Sequence, residues 1–110
     1  MPTIKQLIDV TGRKAMITGA TGGLGVVMAE SLAELGAELL LVDRPGADFQ
    51  ALSDNLSSNW GTTVHQYHCD LEQQHQRRQL MDSIVSCKED LSILINNAAF
   101  VGASDLQGWA

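Results

Sequence analysis

At 110 residues, 45 % of them hydrophobic and 18 % charged, the chain has the balance of one globular domain, neither disordered nor membrane-spanning. Seven Lys and Arg against thirteen Asp and Glu give a net charge of −6 without a block of one sign, which argues against nucleic acid as a partner. No apolar run is long enough for a bilayer and Met1-Pro2-Thr3-Ile4-Lys5-Gln6 lacks the apolar stretch of a signal peptide, so no membrane partner is expected and the expected location is cytoplasmic.

The first predicted element is a strand over Lys14-Ala15-Met16-Ile17-Thr18, short, apolar and closed by a glycine-rich turn, as a strand buried on both faces should be. Apolar residues at Leu24, Val27, Met28, Leu32 and Leu35 then predict an amphipathic helix that Gly36 stops. Glu38 to Asp43 is a second apolar strand, followed by a turn at Pro45-Gly46. Phe49, Leu52, Leu56 and Trp60 share helical spacing, with Gly61 beyond the end. Thr63 to Cys69 is the third strand. Asp70 with Gln73 makes a capping box for a third helix running to about Lys88, with Leu80, Ile84 and Cys87 on one face. Leu91 to Ile95 is the fourth strand. Four strands alternating with three helices predict an α/β fold, a Rossmann-like, doubly wound parallel sheet in a single domain over 1–110. Strands one to three run outward, so right-handed crossovers place the first two helices on one face and the third on the other. Strand four then becomes an edge, with Ile93, Leu94 and Ile95 partly uncovered and the isolated chain marginally stable.

Thr18-Gly19-Ala20-Thr21-Gly22-Gly23-Leu24-Gly25 lies between the first strand and the first helix. A dinucleotide pyrophosphate needs a tight turn, a backbone approachable without a Cβ, and a helix N-terminus whose N–H groups and dipole favour an anion. Gly19, Gly23 and Gly25 can supply these. Asp43 ends the second strand about twenty residues on, where such folds present a carboxylate to the adenosine ribose hydroxyls; it would repel a 2′-phosphate, and Arg44 beside it would soften that repulsion. NAD is therefore expected over NADP.

Four features in order resemble the short-chain dehydrogenase/reductase family over nearly the whole chain: the Thr-Gly-x-x-x-Gly-x-Gly turn at 18–25, Asp43, Cys69-Asp70-Leu71 after strand three, and Asn96-Asn97-Ala98-Ala99 after strand four. The resemblance implies cofactor-binding roles for Gly19, Thr21, Gly22, Gly23, Leu24, Gly25, Asp43, Asp70, Leu71, Asn96, Asn97 and Ala98. Asp70 and Leu71 would flank the adenine, and Asn96 with the Ala98 backbone would sit beside the ribose. It further implies hydride transfer between a nicotinamide dinucleotide and an alcohol or carbonyl substrate in a longer, homo-oligomeric parent. Two positions depart from the pattern: Ala99 stands where the family has Gly, and Ser92 where an acidic residue is common. Gly19, Gly22 and Gly25 also fit the Gly-x-x-Gly-x-x-Gly spacing of the extended branch, an epimerase or dehydratase of nucleotide sugars, whereas Asn96-Asn97 favours the dehydrogenase-like branch. A non-catalytic dinucleotide-binding module is the remaining alternative.

The family's catalytic Ser and Tyr-x-x-x-Lys are not in this sequence: its one tyrosine is Tyr67, four positions before Leu71. No catalytic residue is assigned. His65 and His68 fall on opposite faces of one strand and His75 on a helix, so no metal site is assigned either. Cys69 and Cys87, eighteen positions apart without a Cys-x-x-Cys pair, read as buried free thiols. The chain reads as the N-terminal part of a longer parent. A purified 110-residue chain is therefore expected to turn over no alcohol or carbonyl, and NADH formation in a dehydrogenase assay contradicts this.

Overall fold

The computed structural model describes residues 3–86 and 91–98. Its elements are α1 (Ile4–Leu7), β1 (Lys14–Thr18), α2 (Gly23–Glu34), β2 (Glu38–Asp43), α3 (Gln50–Trp60), β3 (Val64–His68), α4 (Gln74–Ser86) and β4 (Leu91–Asn96). All strand pairs are parallel, in the order β3-β2-β1-β4. Among the described residues, no helix is long and apolar enough to cross a membrane.

The two faces of the sheet divide as right-handed crossovers require. Ala15, Ile17, Leu39 and Leu41 point to the side of α2 and α3, where they pack with Ala29, Ala33, Phe49, Leu52 and Leu56. Met16, Leu40 and Val42 point the other way, against Leu80 and Ile84 of α4 and the buried Cys69. Strands clad on both faces cannot alternate apolar and polar residues, which is why Glu38–Asp43 reads as an almost unbroken apolar run. Leu41 is completely buried in this core, and truncating such a side chain to Ala typically costs about 2–5 kcal/mol.

Several elements differ from the sequence reading for identifiable reasons. A one-turn helix, α1, precedes the first strand: Thr3 Oγ1 accepts from the Gln6 N–H at 3.2 Å, and the Thr3 N–H donates to Gln6 Oε1 at 2.8 Å. This is a complete capping box, readable in Thr3-Ile4-Lys5-Gln6. Helix α2 buries Gly25, Ala29 and Ala33, not the larger residues of the predicted stripe: Leu24 is 59 % and Val27 57 % exposed. Small side chains let the helix axis lie close to the sheet, so its large residues fall to the flanks, where Met28 and Leu32 are only partly buried. In the third stripe Phe49, Leu52 and Leu56 are buried but Trp60 is 40 % exposed, at the last position of α3 before its left-handed Gly61 cap.

The capping box expected from Asp70 and Gln73 does not form. Helix α4 starts at Gln74, so Asp70 stands outside it; Asp70 Oδ1 accepts from the Glu72 N–H at 3.0 Å, and its own N–H donates to Gln76 Oε1 at 2.7 Å. Cys87 and Lys88, at the predicted end of this helix, lie outside the described residues. Among the described residues β4 is an edge strand, as expected. Ile93 and Ile95 reach the α2 and α3 side of the core, whereas Leu94, paired with Met16 on the opposite face, is 62 % exposed.

Candidate functional site

In an open parallel sheet, the crevice available to a ligand opens at the carboxyl ends of the strands where successive connections reverse direction. Here the chain steps outward from β1 through β2 to β3 and returns to β4 on the other side of β1. The point of reversal is the end of β1, and the glycine turn leaves from it.

Thr18 closes β1 and is only 6 % exposed. Its hydroxyl accepts from the backbone N–H of Asn97 at 3.1 Å and of Ala98 at 3.0 Å, and donates to Asn96 Oδ1 at 3.4 Å. One donor and two acceptor positions are all that a hydroxyl has, and all are used. Asn97 Nδ2 donates in turn to the Gly19 carbonyl at 3.3 Å. The segment after β4 is thus tied to the turn after β1 by side-chain bonds on both sides. Thr18 is a positioning residue that sequence reasoning quoted only as part of the motif; the available signal was a hydroxyl in a strand with apolar neighbours, which must find partners when buried.

The turn itself needs glycine at two places. Gly19 has φ +67° and faces Ala98, whose Cα would lie 3.0 Å from an added Cβ. At Gly25 an added Cβ would overlap the Gly19 carbonyl oxygen, so the first turn of α2 rests directly on the loop that precedes it. Around Gly23 the Cβ position is open space. Gly22, the N-cap of α2, makes no side-chain capping bond, so the free N–H groups and positive dipole end of the first turn stay available to an anion.

Asp43, last in β2, reaches across to this turn. Its Oδ2 accepts from the Thr21 N–H at 2.9 Å and the Thr21 hydroxyl at 2.6 Å, and its Oδ1 accepts from the Arg44 N–H at 2.8 Å. Partial burial pushes the carboxyl pKa up, but the Thr21 hydroxyl, the two N–H donors and the Arg44 charge outweigh it, so the group lies below its ordinary range.

Gly19, Asp43, Arg44, Pro45, Cys69, Asp70, Leu71, Glu72 and Ala98 line a cleft of about 660 Å³. Five of the twelve sequence-predicted positions are therefore wall residues: Gly19, Asp43, Asp70, Leu71 and Ala98. Thr21, Gly22, Gly23, Leu24 and Gly25 make the turn and first helical residues beside it, and Asn96 and Asn97 make the bracket behind Gly19. Pro45, Cys69 and Glu72 were not foreseen as wall residues; Cys69 and Glu72 each adjoin a predicted position, and Pro45 lies two beyond Asp43. Burial first, then the Asp70 charge, raises the Cys69 thiol pKa against a smaller opposing effect of Arg77. Both effects favour the protonated thiol over the nucleophilic thiolate. His65 Nε2 lies 2.8 Å from Glu38 Oε2, and His68 Nε2 lies 2.8 Å from the Ala47 carbonyl oxygen.

A family model described as short chain dehydrogenase matches residues 13–108. Epidermal retinol dehydrogenase 2 of Homo sapiens is 36 % identical over 93 residues, covering 84 % of this chain and 30 % of that protein. An NAD+-bound xylitol dehydrogenase superimposes with a TM-score of 0.76 at 28 % identity, over 84 % of this chain and 35 % of its own. L-sorbose reductase of Gluconobacter frateurii, complexed with NADPH and L-sorbose, gives a TM-score of 0.77 at 26 % identity, over 89 % of this chain and 40 % of its own. The chain spans about a third of the length of the curated relatives it matches, from 27 % to 37 %.

The bonds that Asp43 makes within the chain carry a pH signature. A carboxyl whose folded pKa is depressed stabilises the fold above its unfolded value of about 3.9, and that stability is lost as pH falls through the folded value. Asp43→Asn should therefore destabilise the chain at ~pH 7, with the penalty shrinking once pH drops below ~4. Urea melts of both proteins across this range check it; a penalty independent of pH contradicts the assignment.

Proposed function

The chain belongs to the short-chain dehydrogenase family, and on that premise we propose that its cleft holds the adenosine half of a nicotinamide dinucleotide, with NAD(H) preferred to NADP(H). The observation that carries the reading is the convergence of Gly19, Asp43, Asp70, Leu71 and Ala98 from the ends of all four strands on one cleft of about 660 Å³. That volume lies within the ~300–1,000 Å³ usual for small-molecule and cofactor sites.

The residues present fit such a ligand. The uncapped first turn of α2, open above Gly23, suits a pyrophosphate. Asp43, ionised and fixed by three donors, suits a ribose hydroxyl. Leu71 offers an apolar surface for the adenine, beside the backbone of Cys69 and Asp70. When bound, the dinucleotide supplies a hydride donor or acceptor, and we assign the protein to oxidoreductases acting on an alcohol or carbonyl.

The proton transfer that accompanies such a reaction needs a group of matched pKa. None of the cleft-wall groups, the Asp43, Asp70 and Glu72 carboxylates, the Arg44 guanidinium and the Cys69 thiol whose pKa burial raises, is assigned this transfer. We therefore assign these residues to binding and orientation. Of the two neighbouring structures described above, one contains NAD+ and the other NADPH, so family membership leaves the choice between them to local chemistry. Here that chemistry is Asp43, whose negative charge disfavours a 2′-phosphate and outweighs the exposed Arg44 beside it.

Calorimetric titration should give tighter binding of NAD+ than of NADP+, with Asp43→Ala narrowing the ratio by about tenfold or more through weaker NAD+ and stronger NADP+ binding. Tighter binding of NADP+ by the unsubstituted chain contradicts the role given to Asp43.

A further inference from the structure

Asp43 enters its cleft already bonded. An ionised carboxylate has about four acceptor sites, two on each oxygen. Both sites on Oδ2 are taken by Thr21, through its N–H at 2.9 Å and its hydroxyl at 2.6 Å. On Oδ1 the Arg44 N–H takes one, at 2.8 Å. One site remains. A vicinal diol gripped by both oxygens of a carboxylate needs a site on each.

We infer that Thr21 is a specificity-determining positioning residue: by saturating Oδ2 it leaves Asp43 a single acceptor, on Oδ1, so that the site reads one hydroxyl of the adenosine ribose and not both. This inference rests on the cleft taking a dinucleotide, as proposed above, and assigns Thr21 a role through Asp43 in place of direct contact with the cofactor.

Three features make the arrangement firm. The Thr21 N–H belongs to a turn whose shape is set by the Gly22 N–H donating to the Gly19 carbonyl at 3.2 Å. The β-branched Thr21 side chain has few χ1 alternatives through which to swing its hydroxyl away. The bonds from Thr21 are charge-assisted, the stronger class of hydrogen bond, and a ribose hydroxyl competing for Oδ2 must displace one of them. The depressed carboxyl pKa agrees with an acid held in its ionised form by these donors. Discrimination against a 2′-phosphate then comes mainly from charge and only in small part from a lost two-point grip.

The test titrates the 110-residue chain with NAD+ and with two analogues, one lacking the 2′- and one the 3′-hydroxyl of the adenosine ribose. The unsubstituted chain should lose about tenfold in affinity for one analogue and stay within about twofold for the other. Thr21→Ser, which keeps the hydroxyl, should give the same pattern. Thr21→Val frees a site on Oδ2, so both deletions should then cost affinity, a change of pattern that a merely structural role would not produce. Comparable losses with both analogues in the unsubstituted chain, or with neither, overturn the inference, as does an unchanged pattern in Thr21→Val. The comparison of the two analogues needs no variant, so it decides even if Thr21→Val fails to fold. Absence of NAD+ binding altogether would instead contradict the dinucleotide reading itself.

Discussion

The hydroxyl of Thr18 stands where the two directions of the sheet part, and the shape of the cleft depends on it. β1 is flanked by β2 on one side and β4 on the other, and its ladders with them run to the Thr18–Val42 and Thr18–Asn96 pairs. Thr18 extends the tie beyond β4 by accepting from two consecutive N–H groups. Asn97 extends the tie to the Gly19 carbonyl. Gly19 then has so little room that a side chain there would press on Ala98. On the other flank Asp43 does the equivalent work, bonding Thr21 of the turn from the end of β2. The glycine loop is thus clamped from both neighbouring strands.

The clamps are useful only because the layer beneath is rigid. β1 and β2 are covered on one face by α2 and α3 and on the other by α4, and their side chains from Ala15 to Ile17 and Leu39 to Val42 are almost wholly buried. Close-packed interiors of this kind transmit position well because they deform little. Helix α2 sits near the sheet because Gly25, Ala29 and Ala33 face it, and this nearness brings its uncapped first turn to the end of β1. The same three small residues therefore set both the packing of α2 and the position of its first turn.

Most of this was legible in the sequence. Short strand-like runs alternating with helical spacing placed all four strands, and outward winding followed by reversal placed the helices on their correct faces. What was missed followed from contacts between distant segments. The apolar stripe Leu24, Val27, Met28, Leu32 suggested one buried face for α2, but close approach to the sheet selected the small residues. Asp70 resembled a helix cap by spacing, yet Gln76 made the bond. Thr18 lies 78 to 80 residues from the groups it binds, a separation no local pattern encodes. Asp43 was recognisable as a strand-end carboxylate near the turn, whereas its two bonds from Thr21 were not, because the crossing from strand end to turn exists only in the folded chain. The Thr3 and Gln6 capping box, by contrast, is local and went unread.

The central claim is that the carboxyl ends of the strands form one dinucleotide cradle. Backbone amide chemical shifts recorded during NAD+ titration of the isotope-labelled chain test it most directly. The account predicts progressive shifts confined to the glycine turn from Gly19 to Gly25, to Asp43 and Arg44, to Cys69 through Glu72 and to Ala98, with Gly12, Gly36 and Gly61 at the far end of the sheet unmoved. Shifts centred on that far end, or spread evenly over the chain, would contradict it.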